Sequence, residues 1–260
     1  MTAPAYLLDN EAAEAGQRFD ALSAIFDDWT FRHLEGVGLS AGWHCWEVGA
    51  GGPGTPRWLA ARVGPTGRVL ATDIDVRWLE ESEDFSVLRH DVAASPAPAC
   101  GFDLVHARLV LTHVARRALA LRRMAGALRA GGWLVIEDFD VSAQPLACPD
   151  AADDDEERAN RVRAGMIELF AARSVDLSLG RSLRHRLRSL GLADVRAEAY
   201  APLALPTTRA LELANVVQVR DGLKSLGLGD DIDPHLAAVA AGRIDIATPP
   251  LITAWGRKPG

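Results

Sequence analysis

A doubly wound α/β fold is predicted by three observations. Short apolar runs alternate with amphipathic stretches, a glycine-rich turn follows the first run directly, and an acidic residue closes the second. The runs at 45–48, 68–72, 86–89, 102–106 and 133–137 read as strands, and they set the core of the sheet at about 42–140.

The elements follow in chain order. Phe19, Leu22, Phe26 and Trp29 recur at steps of three and four, so a docking helix precedes the sheet and 1–35 reads as an N-terminal helical lid. Thr55 and Pro56 announce the helix after the glycine turn. Ala118, Leu121, Ala125 and Leu128 mark one helical face, which Gly131-Gly132 is expected to end. Beyond Asp140 the rhythm changes. Val162, Met166, Leu169 and Phe170 form an apolar stripe behind the acidic run 153–157, and Leu183, Leu187 and Leu190 mark another helix. A strand at 195–200, a helix at 207–226 and a last strand at 251–255 complete the reading. The segments 141–178 and 207–245 are expected to be lid insertions on a single domain spanning 1–260.

Composition narrows the function. The chain has 260 residues, 48% of them hydrophobic, which is enough to bury a substantial core. Its formal charge of −7 disfavours nucleic acid as a partner. The first sixteen residues carry no Lys or Arg, and no apolar run approaches the ~18 residues that cross a bilayer, so a cytoplasmic protein without a membrane partner is expected. Cys45, Cys100 and Cys148 fit neither a disulfide framework nor zinc spacing and read as reduced core thiols.

The strongest signal is Glu47-Val-Gly49-Ala50-Gly51-Gly-Pro-Gly54. Glycines serve where the backbone turns tightly and a ligand approaches it closely, and Gly49, Gly51 and Gly54 satisfy GxGxxG. Asp73 lies 19 residues beyond Gly54, at a strand end where a carboxylate can accept ribose hydroxyls. Together they indicate an adenosine-containing ligand. Glu47 selects among such ligands, because an acid beside a pyrophosphate is unfavourable whereas an acid beside the ammonium of S-adenosylmethionine is favourable.

On these residues the sequence resembles the class I S-adenosylmethionine-dependent methyltransferases, in particular bacterial members acting on small metabolites. Pro53 stands where their last motif glycine is expected. The resemblance extends to His90-Asp91-Val92, to Phe102–Leu109 with 111–114, to Leu128–Ile136 with Ala130 in place of a common proline, and to Asn10 and Arg18-Phe19. It implies a mostly parallel, seven-stranded sheet whose last strand is antiparallel. It also implies S-adenosyl-L-methionine as cofactor, with Asp73 and Ile74 at the ribose side, Asp91 and Val92 at the adenine, and Ala107 and Arg108 along the fourth strand. The reaction implied is methyl transfer to an O, N or C nucleophile of a small organic acceptor, with natural-product biosynthesis as one setting and a homodimer left open. A cyclase using the cofactor as scaffold, a silent binding subunit and an NAD-dependent dehydrogenase are the alternatives.

His113, seven residues past the fourth strand, is the candidate general base. His106, His33 and Asp138 are the other candidates, with His33 read as a helix-surface residue. Arg108 reads either as a surface cation or as a partner of the methionine carboxylate. The acidic run 153–157 favours a helix dipole rather than a metal, and no metal site is expected. The basic helix carrying Arg181, Arg184, His185, Arg186 and Arg188 reads as a solvated face.

Overall fold

The computed structural model describes residues 7–8, 14–79, 82–173, 175–203 and 205–260, so Asn10 lies outside the described residues. The elements run α1 (Glu14–Gly36), β1 (His44–Val48), α2 (Gly54–Val63), β2 (Arg68–Asp73), β3 (Ser86–Arg89), β4 (Phe102–Arg108), α3 (Arg117–Ala127) and β5 (Leu128–Phe139). They continue with α4 (Asp154–Ala171), α5 (Leu179–Ser189), β6 (Ala193–Tyr200), α6 (Pro206–Gln218), α7 (Arg220–Ser225), α8 (Gly229–Ala240) and β7 (Leu251–Arg257). A short 3-10 turn, Leu111–His113, follows β4. No helix among the described residues is long and apolar enough to cross a membrane.

Seven strands lie in the order β3-β2-β1-β4-β5-β7-β6. The first five are parallel, and β7 runs antiparallel to both β5 and β6. The chain divides into two units. One comprises 27–139, 179–200 and 251–260 and holds the sheet, while the other comprises 1–26, 140–178 and 201–250 and is helical.

Period-two alternation gives the sheet two apolar faces, each covered by helices of its own unit. Trp46, Val105, Leu134, Ile136 and Ala254 pack with Leu121 and Met124 of α3 and Leu179, Leu183 and Leu187 of α5. Cys45, Val69, Leu104 and Val135 pack on the other face with Leu34 of α1 and Leu59 of α2. In the helical unit, Val162, Met166 and Leu169 of α4 meet Val216, Leu223 and Ile232. Asp153 caps α4 by accepting the Glu156 N–H at 3.0 Å, as the acidic run predicts.

Four expectations need correction. The helix carrying Ala118 and Leu121 stops at Ala127, because Leu128 turns extended (ψ 145°) and pairs with Phe102. Gly131 and Gly132 instead serve β5: Gly131 sits at φ 76°, and a Cβ on Gly132 would lie 2.7 Å from the Phe102 carbonyl oxygen. Helix α2 starts at Gly54 with Pro53 at its cap and no side-chain capping bond, so Thr55 lies inside the first turn. The helix at 207–226 is interrupted at Val219 into α6 and α7. Cys45 and Cys148 are buried, but Cys100 is exposed in the loop before β4.

Candidate active site

The same alternation that fills the sheet also places polar groups at its carboxyl end. Cys45, Leu104 and Val135 face the α1 and α2 side, so the residues two further along, Glu47, His106 and Glu137, face that side as well. Glu47 and His106 are register partners on β1 and β4, and Glu137 is the register partner of Thr253 on β7. All four are buried.

Their hydrogen bonds form one network. His106 Nδ1 lies 2.6 Å from Glu47 Oε2, and Nε2 lies 3.4 Å from Glu137 Oε2. Glu137 Oε2 also accepts Thr30 Oγ1 at 2.5 Å, and its Oε1 accepts Thr253 Oγ1 at 2.6 Å. Trp29 Nε1 donates to Thr253 Oγ1 at 2.7 Å. Burial acts to lower the pKa of His106, but the charge of Glu47 and the hydrogen bonds to both carboxylates outweigh it, leaving the imidazole pushed up to about 9. Burial acts to raise that of Glu137, yet the bond and charge of His106 and the charge of Arg108 hold it below the usual range. At neutral pH the centre of the network is therefore an imidazolium between two carboxylates.

The glycine loop follows β1. Gly49 and Gly51 adopt φ of 65° and 64°, and a Cβ on Gly49 would stand 2.3 Å from Val110 Cγ2, so only glycine fits there. Ala50 N–H bonds the Thr72 carbonyl at 3.0 Å. Gly51 N–H donates to Asp73 Oδ2 at 2.9 Å, while Asp73 Oδ1 accepts from Asp75 N–H at 3.0 Å. Burial raises the pKa of Asp73 against the lowering effect of these backbone bonds. Ile74, next to it, is 56% exposed although apolar. Asp91 is exposed and spends Oδ1 on the Ala93 and Ala94 N–H groups, while Val92 is buried in the core. Leu109 takes a left-handed φ of 58° directly after β4, a strained conformation of the kind found at functional sites.

Several predicted residues have roles other than those expected. Arg108 is not a surface cation: it donates to Asp27 Oδ1 at 2.7 Å and to Thr30 Oγ1 at 2.9 Å, fixing the C-terminal half of α1. His33 is buried, not on the helix surface, and is flanked by the rings of Trp29 and Trp255. Asp138 is fully buried and caps the 3-10 turn by accepting Thr112 N–H at 3.0 Å, and burial pushes its pKa up to about 7 against those backbone bonds. His106 is clamped between Glu47 and Glu137. His113 is half-buried at the end of the 3-10 turn whose start Asp138 holds. Among the described residues, no cluster of His, Cys, Asp or Glu is arranged to hold a metal ion.

The network itself was missed from sequence, although a signal existed. Glu47, His106 and Glu137 are polar residues near the ends of three otherwise apolar strands, and the strand order β1-β4-β5 makes them neighbours.

A seven-stranded sheet in this order, with a glycine loop after β1 and an acid at the end of β2, is the class I methyltransferase architecture. Residues 46–136 match the family model described as a methyltransferase domain. The chain is 26% identical over 153 residues to the ubiquinone/menaquinone biosynthesis C-methyltransferase UbiE of Hahella chejuensis, covering 55% of this chain and 61% of that protein. It is 32% identical over 126 residues to methyltransferase str2 of Strobilurus tenacellus, covering 47% of this chain and 45% of that one. The chain thus spans about half the length of these relatives. Its fold is similar to phosphoethanolamine N-methyltransferase 2 of Haemonchus contortus, solved with phosphomonomethylethanolamine and S-adenosylhomocysteine. That likeness has a TM-score of 0.58 at 14% identity, and covers 99% of this chain and 61% of that one.

Proposed function

We propose that this protein binds S-adenosylmethionine at the carboxyl ends of β1, β2 and β4 and transfers its methyl group to a nucleophile on a small organic acceptor. The observation that carries this reading is the Asp73 carboxylate, held against the Gly51 N–H with the exposed Ile74 beside it. The Gly51, Asp75 and Ile74 N–H groups orient the Asp73 carboxylate and leave it acceptor capacity for a ribose hydroxyl. Ile74 offers an apolar surface to a nucleobase, and Asp91 Oδ2 is available for an exocyclic amine. Glu47 uses Oε2 toward His106, and among the described residues no hydrogen bond reaches its Oε1, which suits an ammonium donor. The residues present therefore fit the ligand.

When bound, S-adenosylmethionine supplies a sulfonium methyl as the electrophile. The protein's own part is to hold the nucleophile in line and receive its proton. Positioning of this kind contributes up to about 7–11 kcal/mol in favourable systems. His113 is the proposed base, since it is half-buried beside β4 whereas the candidates His33, His106 and Asp138 are buried.

Two measurements test the reading. In calorimetry with S-adenosylhomocysteine, Asp73→Ala is expected to weaken binding about ten- to 150-fold; unchanged affinity would remove Asp73 from the site. In single-turnover transfer of labelled methyl to an acceptor found by metabolite panel, His113→Gln is expected to slow the step about 10²–10⁴-fold with cofactor affinity intact. Near-normal turnover would leave the reaction to positioning alone.

A further inference from the structure

Three buried ionisable groups meet at the end of β1, β4 and β5, and their charges do not cancel. Glu47 and Glu137 are two carboxylates, and His106 is one cation. The nearest further cation, Arg108, is already matched by Asp27 at 2.7 Å. Thr30, Thr253 and Trp29 add hydrogen bonds but no charge. Cys45, two residues before Glu47 on the same face, has its thiol pKa driven up by burial and by the charges of Asp103 and Glu47, and stays neutral. One negative charge is therefore left over in a place with almost no access to water. Such a charge is costly unless a counter-ion arrives.

Where the surplus charge resides depends on His106. Glu137 accepts from His106, Thr30 and Thr253, whereas Glu47 makes a single short bond and keeps Oε1 open. The imbalance is thereby directed to the carboxylate that adjoins the glycine loop.

We infer that His106 is a positioning residue of the cofactor site: its short bond to Oε2 holds the Glu47 carboxylate turned so that Oε1 meets the ammonium group of an S-adenosyl amino acid. This inference rests on the cofactor reading above. His106 touches neither ligand nor acceptor and acts through Glu47 alone. Glu137 in turn holds the far nitrogen of the ring and is itself held by Thr30 and Thr253, so α1 and β7 take part in fixing the amino-acid end of the ligand site.

The test compares S-adenosylhomocysteine with 5′-methylthioadenosine, which keeps the nucleoside and lacks the amino acid, by calorimetry between pH 6 and 8. In His106→Gln, affinity for S-adenosylhomocysteine should fall tenfold or more, while methylthioadenosine binding stays within twofold. Glu137→Gln, which removes the surplus charge but leaves the Glu47–His106 bond, should cost S-adenosylhomocysteine several-fold at every pH and spare methylthioadenosine. Retained methylthioadenosine binding also reports that each variant is folded. Equal losses for both ligands, or no loss for either, would overturn the role of His106. If the unaltered chain bound neither ligand, the cofactor assignment itself would fall.

Discussion

The two units of this protein each bury a Glu–His pair, and the pairs are built differently. In the helical unit Glu212 accepts Arg163 Nη2 at 3.0 Å and His235 Nε2 at 3.1 Å, and Arg163 also reaches the Ala247 carbonyl at 3.4 Å. One carboxylate faces one permanent cation. Burial acts to raise the pKa of Glu212, but the charge of Arg163 and the hydrogen bond from His235 hold it down to about 2. In the sheet unit, two carboxylates share one imidazolium. A balanced buried network is complete by itself and serves the fold, while an unbalanced one at the carboxyl end of a parallel sheet leaves a charge that a ligand of opposite sign would match.

The largest expected effect probes the balanced network. Arg163→Met would strand the Glu212 charge in an apolar interior, and urea unfolding should show a loss of about 3–5 kcal/mol. Replacing Arg163, Glu212 and His235 together by apolar residues of similar volume should recover most of that loss. A triple variant as unstable as Arg163→Met would mean that these groups do more than balance one another, and the contrast between the networks would fail.

A second expectation separates the networks by pH. Glu212 has a folded pKa below its ordinary value of 4.5, so its contribution to stability is full above about 4.5 and is lost as pH falls toward about 2. His106 has a folded pKa above its ordinary 6.5, so its contribution is full below about 6.5 and is lost as pH rises through about 9. Thermal midpoints across pH should therefore decline at both ends. His106→Gln should abolish the alkaline decline and leave the acid one, and Glu212→Gln should weaken the acid decline alone. An alkaline decline that survives in His106→Gln would show that the imidazole is not the group responsible.

Much of this was legible in the sequence, and the limits have physical causes. The strands, the left-handed glycines and the acid after β2 are local features, written in alternation and in residues that tolerate special backbone angles. Asp73 was readable because its strand-end position is itself a motif. The helix end at Ala127 was not, because the pairing of Leu128 with Phe102 overrides local helix signals, and a Gly pair that resembled a helix stop serves a strand instead. The Glu47–His106–Glu137 network joins residues 59 and 31 positions apart. Each of the three reads singly as an isolated polar residue, and only the register of β1, β4 and β5 turns them into one group. His33 was misread as a helix-surface residue for the same reason, since Trp255 against it comes from β7, and the pairing of Arg108 with Asp27 of α1 was likewise not written locally.

The most direct test of the account is the affinity of Glu47→Gln for S-adenosylhomocysteine and for 5′-methylthioadenosine, measured by calorimetry at neutral pH beside the unaltered chain. This substitution keeps the shape of the side chain and discards its charge. The account predicts about a tenfold loss for S-adenosylhomocysteine, on the order of 1.4 kcal/mol, and methylthioadenosine affinity within twofold. Equal losses for the two ligands, or none for either, would contradict it, since Glu47 would then support the glycine loop rather than complete its charge with the ligand.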